Sequence, residues 1–338
     1  MSELSRLKHR NNSRLKLQAS LFLVFSVLLL DRIAAAEEPP EPQALLNEMS
    51  VASRTLNYDG VFMYRLGSQI ETMRIIHKSG EDGVYERLVS LTGHAREVIR
   101  DKEEVKCFYP ENKSVVVEKS RLGKLISSYL PNPVQSISDY YTFEIVSQDR
   151  IAGMDAWVVN VRPKDKYRYG YQLWVDKKSK LLLKSELKNQ LGVTLEQIIF
   201  AQLNILDDID ERLLEPGIQT ADYTWYNNIR ADESAAENSK RKWQATWLPD
   251  GFSMSRHARE QMVTSDDPVE HLIYSDGLAM VSIYVEKVMQ EPEINVNASQ
   301  FGGVNAYATY ADGYQVTAVG EVPRATVKQM ADSVKSYQ

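Results

Sequence analysis

The fold class is decided by the stretch Gly60-Val61-Phe62-Met63-Tyr64-Arg65-Leu66-Gly67-Ser68-Gln69-Ile70-Glu71-Thr72-Met73-Arg74-Ile75-Ile76-His77-Lys78. Its large side chains recur with a period of two on either side of Gly67-Ser68, a pair typical of a tight turn. A period of two places alternate side chains on opposite faces of an extended strand. The stretch therefore predicts a β-hairpin with one face turned toward a core.

The same pattern continues on the C-terminal side of this hairpin, with turn residues every 8 to 12 positions or so. Eleven strands are predicted in this half: Gly60–Leu66, Ile70–Lys78, Val84–Leu91, Ala95–Asp101, Glu104–Tyr109, Ser114–Lys119, Phe143–Gln148, Ala156–Arg162, Tyr167–Asp176, Leu181–Lys188 and Val193–Leu203. Residues 122–139 interrupt the pattern and are expected to be helical or irregular. So many strands with so few helices must curl or close, because a flat sheet would expose its apolar face and edges. The helix expected to cover the concave face is Pro42–Thr55.

A second, smaller unit is predicted from residue 243 onward. Asp276-Gly277 and Asp312-Gly313 each join two strands, and such pairs are strong hairpin signals. A helix is expected from Arg324 to Tyr337, with Val327, Met330, Val334 and Tyr337 on one face. Between the units, 205–242 is rich in acidic and small polar residues, a composition typical of a linker.

The first 36 residues predict export. A basic start precedes an uncharged apolar run from Ala19 to Leu30, and Ala34-Ala35-Ala36 offers a cleavage site for signal peptidase. The run is shorter than the roughly 20 residues of a spanning helix. Because Asp31 and Arg32 follow the run directly, an uncleaved amphipathic anchor stays open as the alternative. The domain prediction is therefore a signal peptide at 1–36, a first domain at 37–204, a linker at 205–242 and a second domain at 243–338.

Composition limits the class of function. The leader holds six of the 40 basic and two of the 46 acidic side chains, so the rest of the chain has a formal charge of −10. That charge argues against nucleic acid or an anionic membrane surface as a partner. The lone Cys107 cannot form an internal disulfide, and a buried, inert thiol is expected there.

Catalytic and metal-binding motifs are missing from the sequence. Only four histidines follow the leader, no pair of them has the spacing of a zinc hydrolase, and there is no cysteine cluster. Nucleophile-elbow, phosphate-loop and dinucleotide motifs are also absent. No catalytic residue, metal or cofactor is predicted.

Two groups of residues are candidates for binding. One is a basic stretch spread over consecutive strands and turns, in which Arg168, Lys177, Lys178, Lys180 and Lys184 are the candidates for an anion or lipid-headgroup patch. A solvated outer face is the alternative explanation of these charges. The other group is aromatic and lies around the linker: Trp225, Tyr226, Trp243, Trp247 and Phe252 are candidate partner-binding residues. Packing between the two domains is the alternative explanation of these aromatics.

Several short segments are specific enough to compare with known families. They are Trp247-Leu248-Pro249-Asp250-Gly251-Phe252, the segment from Pro268 to Glu286, Tyr58-Asp59-Gly60-Val61-Phe62, Gly93-His94-Ala95-Arg96-Glu97-Val98 and Tyr171-Gln172-Leu173-Trp174-Val175-Asp176. In these segments the chain resembles the RseB/MucB family. The resemblance implies an α+β, mainly β protein with an N-terminal LolA/LolB-like half-open antiparallel β-barrel, a covering helix, and a smaller C-terminal α+β domain. It also implies a periplasmic, non-enzymatic regulator that binds an RseA/MucA-type anti-sigma factor, shields it from site-one proteolysis, and is released by lipopolysaccharide or a related lipid.

Two other functions stay open at this point. In a LolA-like carrier of lipid or lipoprotein, the barrel would be the working part and the second domain an accessory. An enzyme acting on envelope polymers would need paired carboxylates in a cleft, and the sequence singles out no such pair. The partner-binding surface, the identity of the lipid and homo-oligomerisation are not decided by the sequence.

Overall fold

The computed structural model describes residues 38–81, 83–119, 130–227, 242–260, 267–288 and 298–336. The predicted signal peptide lies outside the described residues. Among those that are described, no helix is both long and apolar enough to cross a membrane.

A 12-stranded sheet forms the N-terminal part. Helix α1 (Pro42–Thr55) precedes it, and its strands are β1 (Asn57–Leu66), β2 (Gln69–Gly80), β3 (Gly83–Ser90), β4 (Glu97–Arg100), β5 (Glu104–Tyr109), β6 (Ser114–Lys119), β7 (Tyr141–Ile151), β8 (Met154–Pro163), β9 (Gly170–Asp176), β10 (Leu182–Lys188), β11 (Thr194–Leu206) and β12 (Thr224–Asn227). Their order across the sheet is β12-β6-β5-β4-β3-β2-β1-β11-β10-β9-β8-β7. All neighbours are antiparallel except β12, which is parallel to β6. The edge strands β7 and β12 are not paired to each other, so the predicted half-open sheet is confirmed.

Strand β1 joins the two halves of this sheet. It pairs with β2 on one side and with β11 on the other, which brings Val61 opposite Gln202. Its inward side chains include Tyr58 and Phe62, and the Phe62 ring lies 5.7 Å from that of Phe200. A Cβ at Gly60 would come within 2.7 Å of the Phe200 ring, so a glycine allows the two strands to approach here.

Helix α1 covers the sheet as predicted. Pro42 begins it, and the Glu41 side chain accepts a hydrogen bond from the Ala44 amide at 2.6 Å. Leu45 and Leu46 have no exposed surface. They pack in a cluster with apolar residues of β8, β9 and β10, while Ala52 joins a second cluster under β1, β2 and β11. The helix therefore contributes to the cores of both halves of the sheet.

The sequence predicted eleven of the twelve strands in the first sheet and missed one. All eleven predicted strands are confirmed: β5 and β6 have the predicted bounds, and the ends of the others differ by at most three residues. One such difference is that β9 begins at Gly170 rather than Tyr167. Tyr167, Arg168 and Tyr169 leave the strand because they contact the C-terminal domain. The short β12 was not predicted, since its four residues carry no periodic signal and are ordered by pairing with β6.

The C-terminal part is a six-stranded antiparallel sheet with one helix and a two-stranded ribbon. Its elements are β13 (Trp243–Ala245), β14 (Ser253–Glu260), β15 (Val269–Ser275), β16 (Met280–Lys287), β17 (Ala298–Phe301), β18 (Val304–Ala311), β19 (Tyr314–Gly320), α2 (Arg324–Asp332) and β20 (Val334–Ser336). The sheet order is β14-β15-β16-β19-β18-β17, and β13 pairs with β20. Both predicted hairpins, β15–β16 and β18–β19, are confirmed.

The last predicted helix was too long. Helix α2 ends at Asp332, and Val334–Ser336 is the strand β20, which pairs with Trp243–Ala245. Val334 is buried in the same core as Val327 and Met330, but it reaches that core as a strand residue. A distant strand supplies the backbone hydrogen bonds here, and a periodicity of 3.6 within the chain does not reveal that partner.

Part of the predicted linker packs on the first sheet. Ile209 is buried, and its carbonyl accepts a hydrogen bond from Lys78 at 2.9 Å. The Gly217 amide donates to Glu97 at 3.0 Å, and β12 follows. Residues 228–241 lie outside the described part of the chain. The limits of the linker and of the two domains stay predictions.

Candidate functional site

A buried arginine lies where the N-terminal and C-terminal parts meet. Arg168, in the loop before β9, has no exposed surface. Its guanidinium lies 2.8 Å from an oxygen of Asp276 in the β15–β16 turn and 3.0 Å from Asp165, and it donates to the Asp250 carbonyl at 2.6 Å. A buried charge is tolerated only when it is paired and hydrogen-bonded. These contacts meet that condition and tie the two parts together.

Aromatic rings enclose this ion pair. The guanidinium carbon of Arg168 lies 5.2 Å from the ring centres of Tyr140 and Phe252 and 5.5 Å from that of Tyr141. The Tyr141 hydroxyl donates to Asp276 at 2.9 Å, and burial raises the pKa of Tyr141 above its ordinary value. Cation–π contact and exclusion of water both strengthen the pairing.

The residues around Arg168 extend the contact. Tyr169 accepts a hydrogen bond from Asn305 at 3.0 Å, and the Tyr171 hydroxyl donates to Glu321 at 2.7 Å. Thr326 donates to the Tyr167 carbonyl at 2.8 Å. The segment Tyr167–Tyr171 therefore supplies a run of consecutive contacts to the C-terminal domain, and we call it the docking segment.

The predicted aromatic residues are divided between surface and core. Trp225 and Tyr226 on β12 are 50% and 54% exposed, and Trp225 packs edge-on against Phe108 at 6.3 Å. Trp243 and Phe252 are buried in the core of the C-terminal domain, so the structure corrects their assignment to a partner-binding surface. Trp247 packs against Tyr167 at 5.1 Å, which agrees with the alternative of packing between the domains. Only the β12 pair is presented to solvent as an anchor would be.

The predicted basic patch is largely neutralised by the protein itself. Arg168 does not belong to it, because its charge is buried against Asp276. Lys184 lies 2.7 Å from Glu186 and 3.8 Å from the Trp174 ring centre, and Lys180 lies 3.5 Å from Glu48. Lys177 lies 4.0 Å from the Trp157 ring centre, and Lys178 is exposed. Of the five predicted members, Lys177, Lys178 and Lys180 remain in a solvent-facing turn.

His77 and Cys107 lie in structural rather than reactive environments. His77 is fully buried, and its Nδ1 donates to the Leu56 carbonyl at 2.9 Å. Burial lowers the pKa of His77 to about 4, which keeps the ring neutral near pH 7. Cys107 is half-buried rather than buried, and partial burial raises the pKa of its thiol. Neither group has the environment of an activated nucleophile or base.

Sequence reasoning missed the docking segment. The run Tyr167-Arg168-Tyr169-Gly170-Tyr171 places three tyrosines at alternate positions around an arginine. A Cβ at Gly170 would come within 2.8 Å of the Val161 carbonyl, so Gly170 permits close packing at the start of β9. Tyrosines at alternate positions around an arginine, just before a strand begins, could have predicted a buried contact at this segment.

Comparison with known proteins covers both domains. Residues 41–218 match the model of the MucB/RseB N-terminal domain, and residues 237–335 match that of the MucB/RseB C-terminal domain. The sigma factor AlgU regulatory protein MucB of Pseudomonas aeruginosa is 30% identical over 316 residues, which are 91% of this chain and 96% of that protein. The sigma-E factor regulatory protein RseB of Escherichia coli is 29% identical over 317 residues, 94% of this chain and 96% of that relative.

Three solved structures cover 88% of this chain. The Pseudomonas aeruginosa MucA/MucB complex has a TM-score of 0.70 at 29% identity, and its matched chain is covered completely. MucB in complex with MucA(peri) gives 0.69 at 28% identity, also with complete coverage. MucB alone gives 0.61 at 28% identity, with 98% of that chain covered. The present structure is thus more similar to these two complexes than to this structure of MucB alone.

Proposed function

The chain belongs to the MucB/RseB family, and we propose that it binds the periplasmic segment of an RseA/MucA-type anti-sigma factor. By covering this segment, the protein shields it from site-one proteolysis. The envelope-stress sigma factor is thereby kept inactive. The observation that carries the proposal is the match over both domains to MucB, including MucB bound to MucA. A carrier that used only the N-terminal sheet would leave the match of the second domain unexplained.

The proposed action is occlusion without chemistry. Among the described residues, no three His, Cys, Asp or Glu side chains gather to hold a metal ion. Inhibition of proteolysis requires only that the bound segment be covered, and a regulator can shift that equilibrium by its binding free energy alone. The protein is therefore proposed to be a binding protein and not an enzyme. It would act in the periplasm after removal of residues 1–36.

We assign partner contact to the two exposed aromatic side chains of β12. Trp225 and Tyr226 present large exposed rings on the short strand β12, where a partner segment would find aromatic surface. Aromatic rings are enriched among the residues that dominate binding energy, because they bury a large area at a small entropic cost. Lipopolysaccharide or a related lipid is the proposed releasing signal, met by Lys177, Lys178 and Lys180.

The test uses the mature chain, the anti-sigma periplasmic segment from the same organism and its site-one protease. Saturating protein is expected to slow cleavage, and the double variant Trp225→Ala/Tyr226→Ala is expected to bind the segment at least tenfold more weakly. Phe301→Ala is the matched control, because Phe301 is 58% exposed on a different edge strand. A Lys177→Glu/Lys178→Glu/Lys180→Glu variant is expected to weaken release by lipopolysaccharide more than it weakens partner binding.

The outcomes separate the function from the site. Unchanged cleavage at saturating wild-type protein would overturn the regulatory function itself. Slowed cleavage with an unaffected double variant would leave the function standing and remove β12 as the binding surface. Equal losses of lipid response and partner binding in the lysine variant would remove the proposed lipid contact.

A further inference from the structure

Two carboxylates face one small cavity between the domains. Glu196 lies on β11 of the N-terminal sheet, and Glu321 follows β19 of the C-terminal sheet. Both line the cavity, together with Tyr64, Tyr171, Ser185, Leu187, Gln197 and Ile198. Like charges that share a site of low dielectric constant raise each other's cost of ionisation. The arrangement is therefore sensitive to whether both groups are ionised.

Hydrogen bonds hold both carboxylates close to Gly303. Glu196 accepts from the Tyr64 hydroxyl at 3.1 Å and from the Gly303 amide at 3.0 Å. Glu321 accepts from the Tyr171 hydroxyl at 2.7 Å. A Cβ built on Gly303 would lie 3.2 Å from the Glu196 Oε1 atom and 3.2 Å from the Glu321 Cγ atom. A side chain at position 303 would therefore press against both Glu196 and Glu321.

The walls of the cavity supply no cation. The residues that line it from β1, β9, β10 and β11 include two tyrosines and Glu196 as titratable groups, and neither a lysine nor an arginine. Glu186 on β10 shows the contrast. It lies between Ser185 and Leu187, so its side chain points to the other face of the strand, where Lys184 and Lys188 approach to 2.7 Å and 3.0 Å. The bonds and charges of these lysines outweigh burial and lower the pKa of Glu186 to about 2.

We propose that Glu196 and Glu321 form a proton-operated clamp between the two domains, which binds a proton when the domains dock and tightens on acidification. When the domains separate, Glu321 meets water and loses the nearby charge of Glu196. When they dock, Glu321 is held more favourably as the neutral acid. Docking is then linked to proton uptake, and the compartment's pH biases the arrangement of the domains.

The titration of Glu321 agrees with this geometry and fixes the sign. Burial raises the pKa of Glu321 to about 7, and the charge of Glu196 adds to this effect, while the Tyr171 hydrogen bond opposes it. A separated domain would return Glu321 to its ordinary pKa of 4.5. Docking is therefore strongest below pH 4.5, weakens as the pH rises, and is weakest above about pH 7. One linked proton changes the docking constant by about tenfold per pH unit within that interval.

Hydrogen exchange of the intact mature chain measures the clamp. The Gly303 amide donates to Glu196 across the interface, so peptides containing Gly303 or the docking segment report separation of the domains. After correction for intrinsic exchange rates, their protection is expected to fall by about tenfold per unit between pH 5 and pH 7. Peptides from β2 and β16, inside the two cores, are expected to keep their protection over the same range.

Matched variants identify the groups responsible. Glu321→Gln mimics the neutral acid and is expected to keep the interface protected at every pH tested. Glu144→Gln removes one carboxylate from a side chain that is 63% exposed on β7, and it should behave as wild type. The clamp is overturned when wild-type protection does not depend on pH, or when Glu321→Gln retains the wild-type dependence.

A second variant, Glu196→Gln, tests the proposal independently in case Glu321→Gln does not fold. Glu196→Gln keeps an oxygen for the Gly303 amide and removes the opposing charge. It is expected to protect the interface at pH 7.5 more strongly than wild type does. Protection equal to that of wild type would overturn the proposal even if Glu321→Gln failed to fold.

Discussion

Arg168 carries a full positive charge in a place without solvent, and Asp276 and Asp165 balance it there. The pair Arg168–Asp276 joins residues 108 positions apart in the chain. Removing two charged groups from water costs free energy, and their mutual attraction offsets this cost only while both partners are present. The interaction therefore contributes more to the specificity of docking than to net stability.

Replacing Arg168 by Met is expected to destabilise the docked protein by about 3–5 kcal/mol, because Asp276 would be left buried without its partner. Urea unfolding followed by circular dichroism measures the loss. Arg162→Met is the control, since the Arg162 side chain is 64% exposed and reaches Glu144 only at 4.0 Å. An exposed pair of this kind contributes about 0–1 kcal/mol. Equal losses in the two variants would contradict the role given to the buried pair.

Helix α1 is the element on which the cores of the first domain depend. Leu45 and Leu46 are fully buried, whereas Val51 on the same helix is 46% exposed. The buried positions lie on one side of the helix, and the exposed side chain faces solvent. The helix stabilises the sheet through this apolar face, because a sheet curved in this way would otherwise leave apolar side chains in water.

Leu45→Ala is expected to lower the free energy of unfolding by about 2–5 kcal/mol, because it leaves a cavity in a packed cluster. Val51→Ala in the same helix serves as the control and should change stability by about 0.5 kcal/mol or less. Thermal and urea unfolding of the two variants check the difference. A loss from Leu45→Ala no larger than that from Val51→Ala would show that the helix does not cover a core.

The whole molecule depends on close approach of the two domains at Gly303. A Cβ there would come within 2.3 Å of the Leu187 side chain, in addition to its contacts with the two carboxylates. Each domain has a hydrophobic core of its own, so separation need not unfold either of them. Docking is a contact between two separately packed cores, and one added side chain at Gly303 would hold them apart.

Gly303→Val is expected to separate the domains while both cores stay folded. Small-angle scattering should record a larger radius of gyration, and far-ultraviolet circular dichroism should stay close to that of wild type because the secondary structure of both domains is kept. Gly67→Asn is the control, because Gly67 has a φ of +60° that asparagine tolerates and no atom within 4 Å of a built Cβ. An unchanged radius of gyration for Gly303→Val would contradict the close contact at Gly303.

The sequence by itself determined strands β1 to β11, the two hairpins of the second domain, the covering helix and the family. These depend on local rules: alternation along a strand, turn chemistry at Asp276-Gly277 and Asp312-Gly313, and the order of short motifs. Only the tertiary structure decided that Arg168 is buried, that Trp243 and Phe252 are core residues, and that β12 and β20 are strands. Burial and strand pairing at these positions are set by partners in other elements: Asp276 for Arg168, β6 for β12, β13 for β20, and the rest of the C-terminal core for Trp243 and Phe252. No local pattern encodes such partners.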